Sequence, residues 1–342
     1  MRRLTTWVLA GALSVTLSGH HACAGTLSDL KFADTTTLSS NAELARRLLS
    51  PMTAAQLPEL LARSGKSLRK LPIDLSQETF TAYVPTAAPP HGYALIVFVP
   101  PWNAAKIPAG WEVVLDRYGV IFVSAARSGN DASALGRREP LALLAEENIV
   151  RRYPVDKERV YIAGFSGGSR IAMRLALAYP DVFRGAILNA GSDPIGTAAN
   201  PLPPRDLFLQ FQNSSHLIYI TGDRDIFVLS ADSASKRSMR EWCQFNVDER
   251  SEPSVGHEPI DGPTLARALD TLFAPMEQDA ARLAACRSGI ENALSAQLQQ
   301  VRSLIAGGER SAAGERLHEI DTHFGGLAAP QSLELETALA RP

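Results

Sequence analysis

The stretch Val160-Tyr161-Ile162-Ala163-Gly164-Phe165-Ser166-Gly167-Gly168-Ser169-Arg170-Ile171-Ala172 constrains this chain more than any other. An apolar, β-branched run leads into Gly-Phe-Ser-Gly-Gly, and helical spacing follows in Ile171, Leu175, Leu177 and Ala178. A strand that turns sharply into a helix at a serine holds that serine in a strained backbone conformation. Gly164 and Gly167 or Gly168 leave room where side chains would clash across the bend. The turn carries the Ser166 hydroxyl to the carboxyl edge of a sheet and to a helix N-terminus. Free N–H groups there face any negative charge that develops. The five-residue pattern alone is short and falls by chance in loops, so the flanking strand and helix give it its meaning. Ser166 is the candidate nucleophile.

The rest of the chain supplies the sheet that such a turn needs. Residues 25–75 read as a helical lead-in, with Leu44, Ala45, Leu48 and Leu49 at helical spacing and a second short helix holding Leu57, Leu60 and Leu61, limited by Pro58. The sheet is expected to begin at Thr79–Pro85, an alternating strand. Tyr93–Val99 is a continuous apolar run, as suits a strand buried on both faces. A helix through Trp111, Val114, Leu115 and Tyr118 follows, then strand Val120–Ser124, helix Leu141–Arg152 and strand Arg159–Ala163. Beyond the serine come strands Gly185–Asn189 and Leu217–Thr221, a strand over Asp248–Ser251 and a helix over Pro263–Phe273. Alternation of this kind predicts a doubly wound, mostly parallel α/β sheet over residues 76–274. The Pro-rich segment Asp193–Pro204 interrupts the rhythm and reads as an excursion over the sheet edge. From residue 275 to 342 the composition changes. Leu283, Ile290, Leu294, Val301 and Ile305 form one helical stripe, and Ala312, Leu317, Ile320 and Phe324 a second, so a C-terminal helical hairpin is expected.

Charge and cysteine usage narrow the function classes. The 342 residues carry a net charge of −2 and no aromatic-plus-basic patch, which leaves no electrostatic footprint for nucleic acid. Neither Cys-x-x-Cys nor His-Glu-x-x-His occurs, so no structural zinc or zincin metal site is expected. Arg2 and Arg3, the apolar core Leu4–Leu17 and Ala22-Cys23-Ala24 read as a signal peptide over residues 1–24, with Gly25 the first mature residue. A lipoprotein reading through Cys23 is weaker, because His20 and His21 replace the small apolar residues expected before such a cysteine. The mature protein is expected to be secreted or periplasmic without stable membrane insertion. Cleavage leaves Cys243 and Cys286, and an oxidising compartment invites them to pair.

A serine hydroxyl needs a base to take its proton and a carboxylate to orient that base. After strand Leu217–Thr221 comes Gly222-Asp223-Arg224-Asp225-Ile226. A carboxylate just past a strand end shares the edge with the serine, and Asp225 is preferred to Asp223 because it lies far enough beyond the strand to turn back. The base is expected after the last strand, where Gly256-His257 falls in a loop before a helix. The remaining histidines lie in the leader, in the tail, or ahead of the acid. One oxyanion donor is the N–H of Gly167, next to the nucleophile. The other comes from Pro100-Pro101-Trp102-Asn103. Proline has no N–H, so Trp102 is the first candidate and Asn103 the second.

Several of these pieces together resemble the secreted α/β-hydrolase esterases related to polyhydroxybutyrate depolymerases and feruloyl or acetylxylan esterases. They are Tyr83-Val84-Pro85, Asp116-Arg117-Tyr118-Gly119, Arg159 to Gly168 with Tyr179-Pro180-Asp181-Val182-Phe183, Gly222-Asp223-Arg224-Asp225 and Gly256-His257. The resemblance covers residues 79–273. It implies an α/β-hydrolase fold and hydrolysis of a small-molecule or polymer-linked carboxylic ester through an acyl-Ser166 intermediate, with no cofactor. Members of that group usually carry a His-Gly pair where this chain has Pro100-Pro101-Trp102-Asn103. Two rival readings are a serine peptidase on the same fold and a non-catalytic binding protein that kept it.

Overall fold

The computed structural model describes residues 25–65 and 71–341; the expected signal peptide lies outside the described residues. Its elements, in chain order, are β1 (Gly25–Leu30), α1 (Asn41–Leu48), α2 (Pro51–Arg63), β2 (Phe80–Val84), β3 (Tyr93–Val99), α3 (Trp111–Tyr118), β4 (Val120–Ala125), α4 (Glu139–Arg152), β5 (Val155–Phe165) and α5 (Gly167–Ala178). There follow β6 (Gly185–Asn189), α6 (Arg205–Ser214), β7 (His216–Gly222), α7 (Leu229–Glu241), β8 (Val247–Glu252), α8 (Gly262–Phe273), α9 (Ala280–Ala306), α10 (Arg310–Phe324) and α11 (Gln331–Ala340).

The described strands form one eight-stranded sheet in the order β1-β2-β4-β3-β5-β6-β7-β8. The β1–β2 and β2–β4 pairs are antiparallel and the remaining pairs parallel. This is the mostly parallel, doubly wound α/β-hydrolase architecture, with additional helices at the C-terminus.

Side-chain alternation along the central strands divides the interior in two. Leu95, Val97 and Val99 of β3 point into a core shared with α4 and α5. Ala94, Ile96 and Phe98 point into the other, against Trp111 and Leu115 of α3 and Leu265, Ala268 and Leu269 of α8. Both faces are therefore covered, which explains why β3 is apolar throughout, and β4 and β6 apolar but for Ser124 and Asn189, rather than alternating. The outer strand β8 reads Val-Asp-Glu-Arg-Ser-Glu and has a neighbour on one side only, β7.

One expectation needs correction. The lead-in is not wholly helical, since Gly25–Leu30 is a strand that extends the sheet beyond β2. The register shifts between Leu27 and Leu30, and Asp29 takes a positive φ of 53°. A short strand with such an irregularity has no clean alternation, so pairing rather than local pattern sets its conformation. Helix α2 contains Leu57, Leu60 and Leu61 and passes through Pro58 to end at Arg63. In the tail the expected hairpin, α9 and α10, is followed by a third helix, α11. In α11 only Ser332 and Leu335 are buried, too few to make a stripe.

The tail docks on its own core. Leu294, Leu298 and Val301 of α9, with Leu317, Ile320 and Phe324 of α10, join the same apolar cluster as Phe208 and Phe211 of α6. Arg287 donates to the Gln212 side chain (2.7 Å), the Leu209 carbonyl (3.1 Å) and the Asn213 side chain (2.8 Å). Asp321 accepts from the N–H of Met52 at the start of α2 (3.1 Å). Cys243, just past α7, and Cys286 of α9 form a disulfide.

Candidate active site

Strand β5 delivers Ser166. Its last residues are buried between β3 and β6, and α5 begins at the residue after the serine. The bend is made at Ser166 itself, with φ 54° and ψ −123°. A non-glycine residue held there costs about 1–3 kcal/mol, which the surroundings must over-determine. They do so by close approach. A Cβ on Gly164 would lie 2.4 Å from the backbone of Gly168, and one on Gly168 would lie 1.9 Å from the carbonyl oxygen of Val99. The first turn of α5 is thus pressed onto the ends of β5 and β3, where only glycine fits. The Ser166 N–H donates to the carbonyl of Asn189, the last residue of β6 (2.9 Å).

The structure brings three of the sequence candidates into one bonded line. His257 Nε2 lies 2.9 Å from Ser166 Oγ, and His257 Nδ1 lies 2.7 Å from Asp225 Oδ2. Asp225 is 1% exposed, and its other oxygen accepts the N–H of Phe227 (3.3 Å). A ring N–H at Nδ1 has the carboxylate to donate to, and in that tautomer Nε2 is the acceptor facing the hydroxyl. Asp223, the alternative acid, is used otherwise. Its carboxylate accepts the N–H of Ser254 (2.8 Å) and so holds the start of the loop that carries His257.

That loop is also tied at its far end. Asn189 Oδ1 accepts the N–H of Ile260 (2.9 Å), and the Ile260 carbonyl accepts from the indole of Trp111 (2.9 Å). Asn189 therefore touches both halves of the arrangement, the serine through its backbone and the histidine loop through its amide. Nothing in the sequence singled it out, because an asparagine at a strand end reads as a turn residue.

The loop Pro100–Asn103 after β3 lies across from the serine turn and is held by the segment 127–131. Asn103 accepts from Arg127 N–H through its carbonyl (2.7 Å) and from Gly129 N–H through its side chain (3.1 Å). Pro101 O accepts the N–H of Asn130 (3.0 Å). Buried Arg138 donates to the carbonyls of Pro100 (2.9 Å) and Ser128 (3.0 Å), tying the two segments together. Desolvation lowers the pKa of this guanidinium, opposed by the charge of Glu139. In the sequence Arg138 sat in a charge run, Arg137-Arg138-Glu139, which reads as a solvated face. Among the described residues neither the N–H of Trp102 nor that of Asn103 donates a hydrogen bond. The Trp102 ring packs on Phe98 and Phe165, with centroids 6.3 and 6.2 Å away.

Beside His257 lies an open cavity of about 580 Å³ lined by Trp102, Lys106, Ile107, Pro108 and Ile260 among others. On the other side Ile226 and Phe227 are 80% and 79% exposed, and the Phe227 ring is 6.3 Å from that of His257. Behind Asp225, a second buried carboxylate, Asp232, accepts from the hydroxyls of Ser192 (2.5 Å) and Thr221 (2.6 Å). Burial pushes its pKa up against those hydrogen bonds. Among the described residues no group of three or more His, Cys, Asp or Glu is arranged to hold a metal ion, and no helix is long and apolar enough to cross a membrane.

Residues 113–228 match the family described as Esterase PHB depolymerase. That segment contains Ser166 and Asp225 and ends before His257. A poly(3-hydroxybutyrate) depolymerase of Ralstonia pickettii is 30% identical over 113 residues, which is 28% of this chain and 23% of that protein. The chain thus matches under a quarter of that relative's length. Among solved structures, an acetyl xylan esterase from Aspergillus awamori aligns over 57% of this chain and 94% of its own, with 12% identity and a TM-score of 0.43. An S-formylglutathione hydrolase from Staphylococcus aureus aligns over 56% of this chain and 89% of its own, at 12% identity and a TM-score of 0.43. In its family match and in the Ralstonia pickettii relative, this chain resembles esterases of the polyhydroxybutyrate depolymerase type.

Proposed function

We propose that this protein is an exported serine hydrolase that cleaves carboxylic esters through an acyl-Ser166 intermediate. The observation that carries the reading is the bonded line from Asp225 through His257 to Ser166. His257 takes the hydroxyl proton as Ser166 attacks the ester carbonyl, and Asp225 stabilises the imidazolium. The N–H of Gly167, with that of Trp102 or Asn103, receives the oxyanion. The imidazolium then protonates the leaving alcohol. Water, deprotonated by the same imidazole, releases the acid. The substrate is a small-molecule or polymer-linked ester, and no cofactor enters the cycle. The Cys243–Cys286 disulfide supports an oxidising compartment and hence export.

The test is labelling with a fluorophosphonate probe together with turnover of short p-nitrophenyl esters, comparing the wild type with Ser166→Ala. Labelling and turnover that vanish in the variant are expected. An unlabelled wild type would favour a binding protein, and cleavage of aminoacyl amides would favour a peptidase.

A further inference from the structure

The segment 127–131 does more than prop the loop beside it. Its Asn130 side chain reaches the residue that follows the nucleophile. A methyl group on Gly167 would lie 2.2 Å from Asn130 Oδ1, 2.8 Å from its Cγ and 3.0 Å from its Nδ2. The terminal amide therefore lies close beside the Cα of the residue whose N–H is the first proposed oxyanion donor. Asn130 is exposed, and its amide makes no hydrogen bond among the described residues. An amide presents two N–H donors or an oxygen at nearly the same place, according to which way its end is turned.

Its backbone, by contrast, is fixed. The Asn130 N–H donates to Pro101 O (3.0 Å), Gly129 N–H donates to Asn103 Oδ1 (3.1 Å), and Asn103 Nδ2 reaches both oxygens of Asp131 (3.2 Å each). Arg138 holds the carbonyls of Ser128 and Pro100 from beneath. The result is an uncommitted polar group on a rigid support, at the rim of the serine turn. A donor carried on a fixed backbone beside the place where charge develops lowers a barrier with little reorganisation, since only the end of the side chain need turn.

We propose that Asn130 is a further catalytic residue: its side-chain N–H donates to the oxyanion alongside the backbone N–H of Gly167. The step moves no proton to or from Asn130. As Ser166 Oγ bonds to the carbonyl carbon, the carbonyl π pair moves onto oxygen, and the amide hydrogen bond shortens onto that oxygen. It lengthens again when the tetrahedral intermediate collapses and the alkoxide leaves with the proton from His257. In addition to the donor it offers itself, the Pro100–Asn103 loop then also fixes the segment bearing Asn130. It rests on the esterase reading above.

The experiment compares the wild type with Asn130→Ala and Asn130→Asp on a p-nitrophenyl ester, with a boronic acid as a tetrahedral mimic. Because Asn130 is exposed, both variants are expected to fold, checked by an unchanged melting temperature. A fall in kcat of about 10²-fold is expected, with KM within about twofold of wild type. Affinity for the boronic acid should fall by a similar factor. Asp, of nearly the same volume but carrying negative charge, should be at least as damaging as Ala. If kcat is unchanged in folded Asn130→Ala, or if only KM rises, the assignment is overturned while Ser166-dependent turnover leaves the esterase reading standing. If Asn130→Asp retains wild-type rate, the role is steric and the assignment also fails. A wild type inert to both fluorophosphonate and ester would remove the esterase reading, and this assignment with it.

Discussion

Breaking the disulfide should cost stability while leaving chemistry intact. Cys243 and Cys286 are 43 residues apart, so the bridge closes that length of chain in the unfolded state. In the chain-entropy treatment a loop of this length loses about 13 cal/mol/K, or about 4 kcal/mol at 25 °C. With an unfolding entropy of about 2.1 cal/mol/K per residue over the chain, this amounts to a melting shift of about 6 °C. Cys286→Ser is the milder perturbation, since Cys286 is partly exposed whereas Cys243 is fully buried with a positive φ of 60°. Urea unfolding of wild type and variant, each with and without reductant, gives the difference directly. Reductant should destabilise the wild type by the same amount and leave the variant unchanged. Ester turnover at 25 °C should be preserved, because Leu294, Leu298 and Val301 hold α9 on the core without the bridge. A loss below about 1 kcal/mol would refute the entropic reasoning. It would mean that α9 stays close to α7 in the unfolded ensemble.

Other perturbations test the site and its support. Asp225→Asn should lower kcat by about 10⁴-fold on p-nitrophenyl esters, because an amide no longer enforces the tautomer that leaves Nε2 free. Gly168→Ala places a methyl group 1.9 Å from Val99 O and should cost about 3 kcal/mol or more, read as a lost or sharply lowered melting transition. Glu146 is held up at about 7, chiefly by burial, with Glu147 adding to the effect. Folded protein therefore keeps this proton where the unfolded chain has lost it, and stability falls as pH rises from about 4.5 to 7. Glu146→Gln should flatten that slope and gain about 1–3 kcal/mol at pH 8 in urea unfolding.

Legibility followed periodicity. The strand and helix flanking Ser166 were readable because burial on both faces writes long apolar runs, as in β3 and β4, and because the bend leaves glycines at fixed places. The order of serine, acid and histidine then pointed to Asp225 and His257 as candidates. Elements whose form is set from outside were not readable. Strand β1 depends on pairing with β2 across a register shift. Helix α7, Leu-Ser-Ala-Asp-Ser-Ala-Ser-Lys-Arg-Ser-Met-Arg-Glu, buries Asp232, Ser235, Lys236 and Ser238 and so carries no apolar stripe. Asn189, Asn130 and Arg138 act by bonding to backbone groups or standing beside them, and such contacts leave no residue pattern behind.

The open side of β8 has a consequence for the company this protein keeps. A row of unpaired N–H and C=O groups is a ready template for a strand from a neighbouring molecule. Any such neighbour would have to lie along Asp248, Glu249, Arg250 and Glu252, whose three carboxylates are already paired with His216, Lys236 and Arg267 of this chain. At the opposite margin the irregular turn at Asp29 breaks the flat run that a guest strand would need. Both flanks of the sheet therefore differ from the long, flat, apolar edge that strand addition favours.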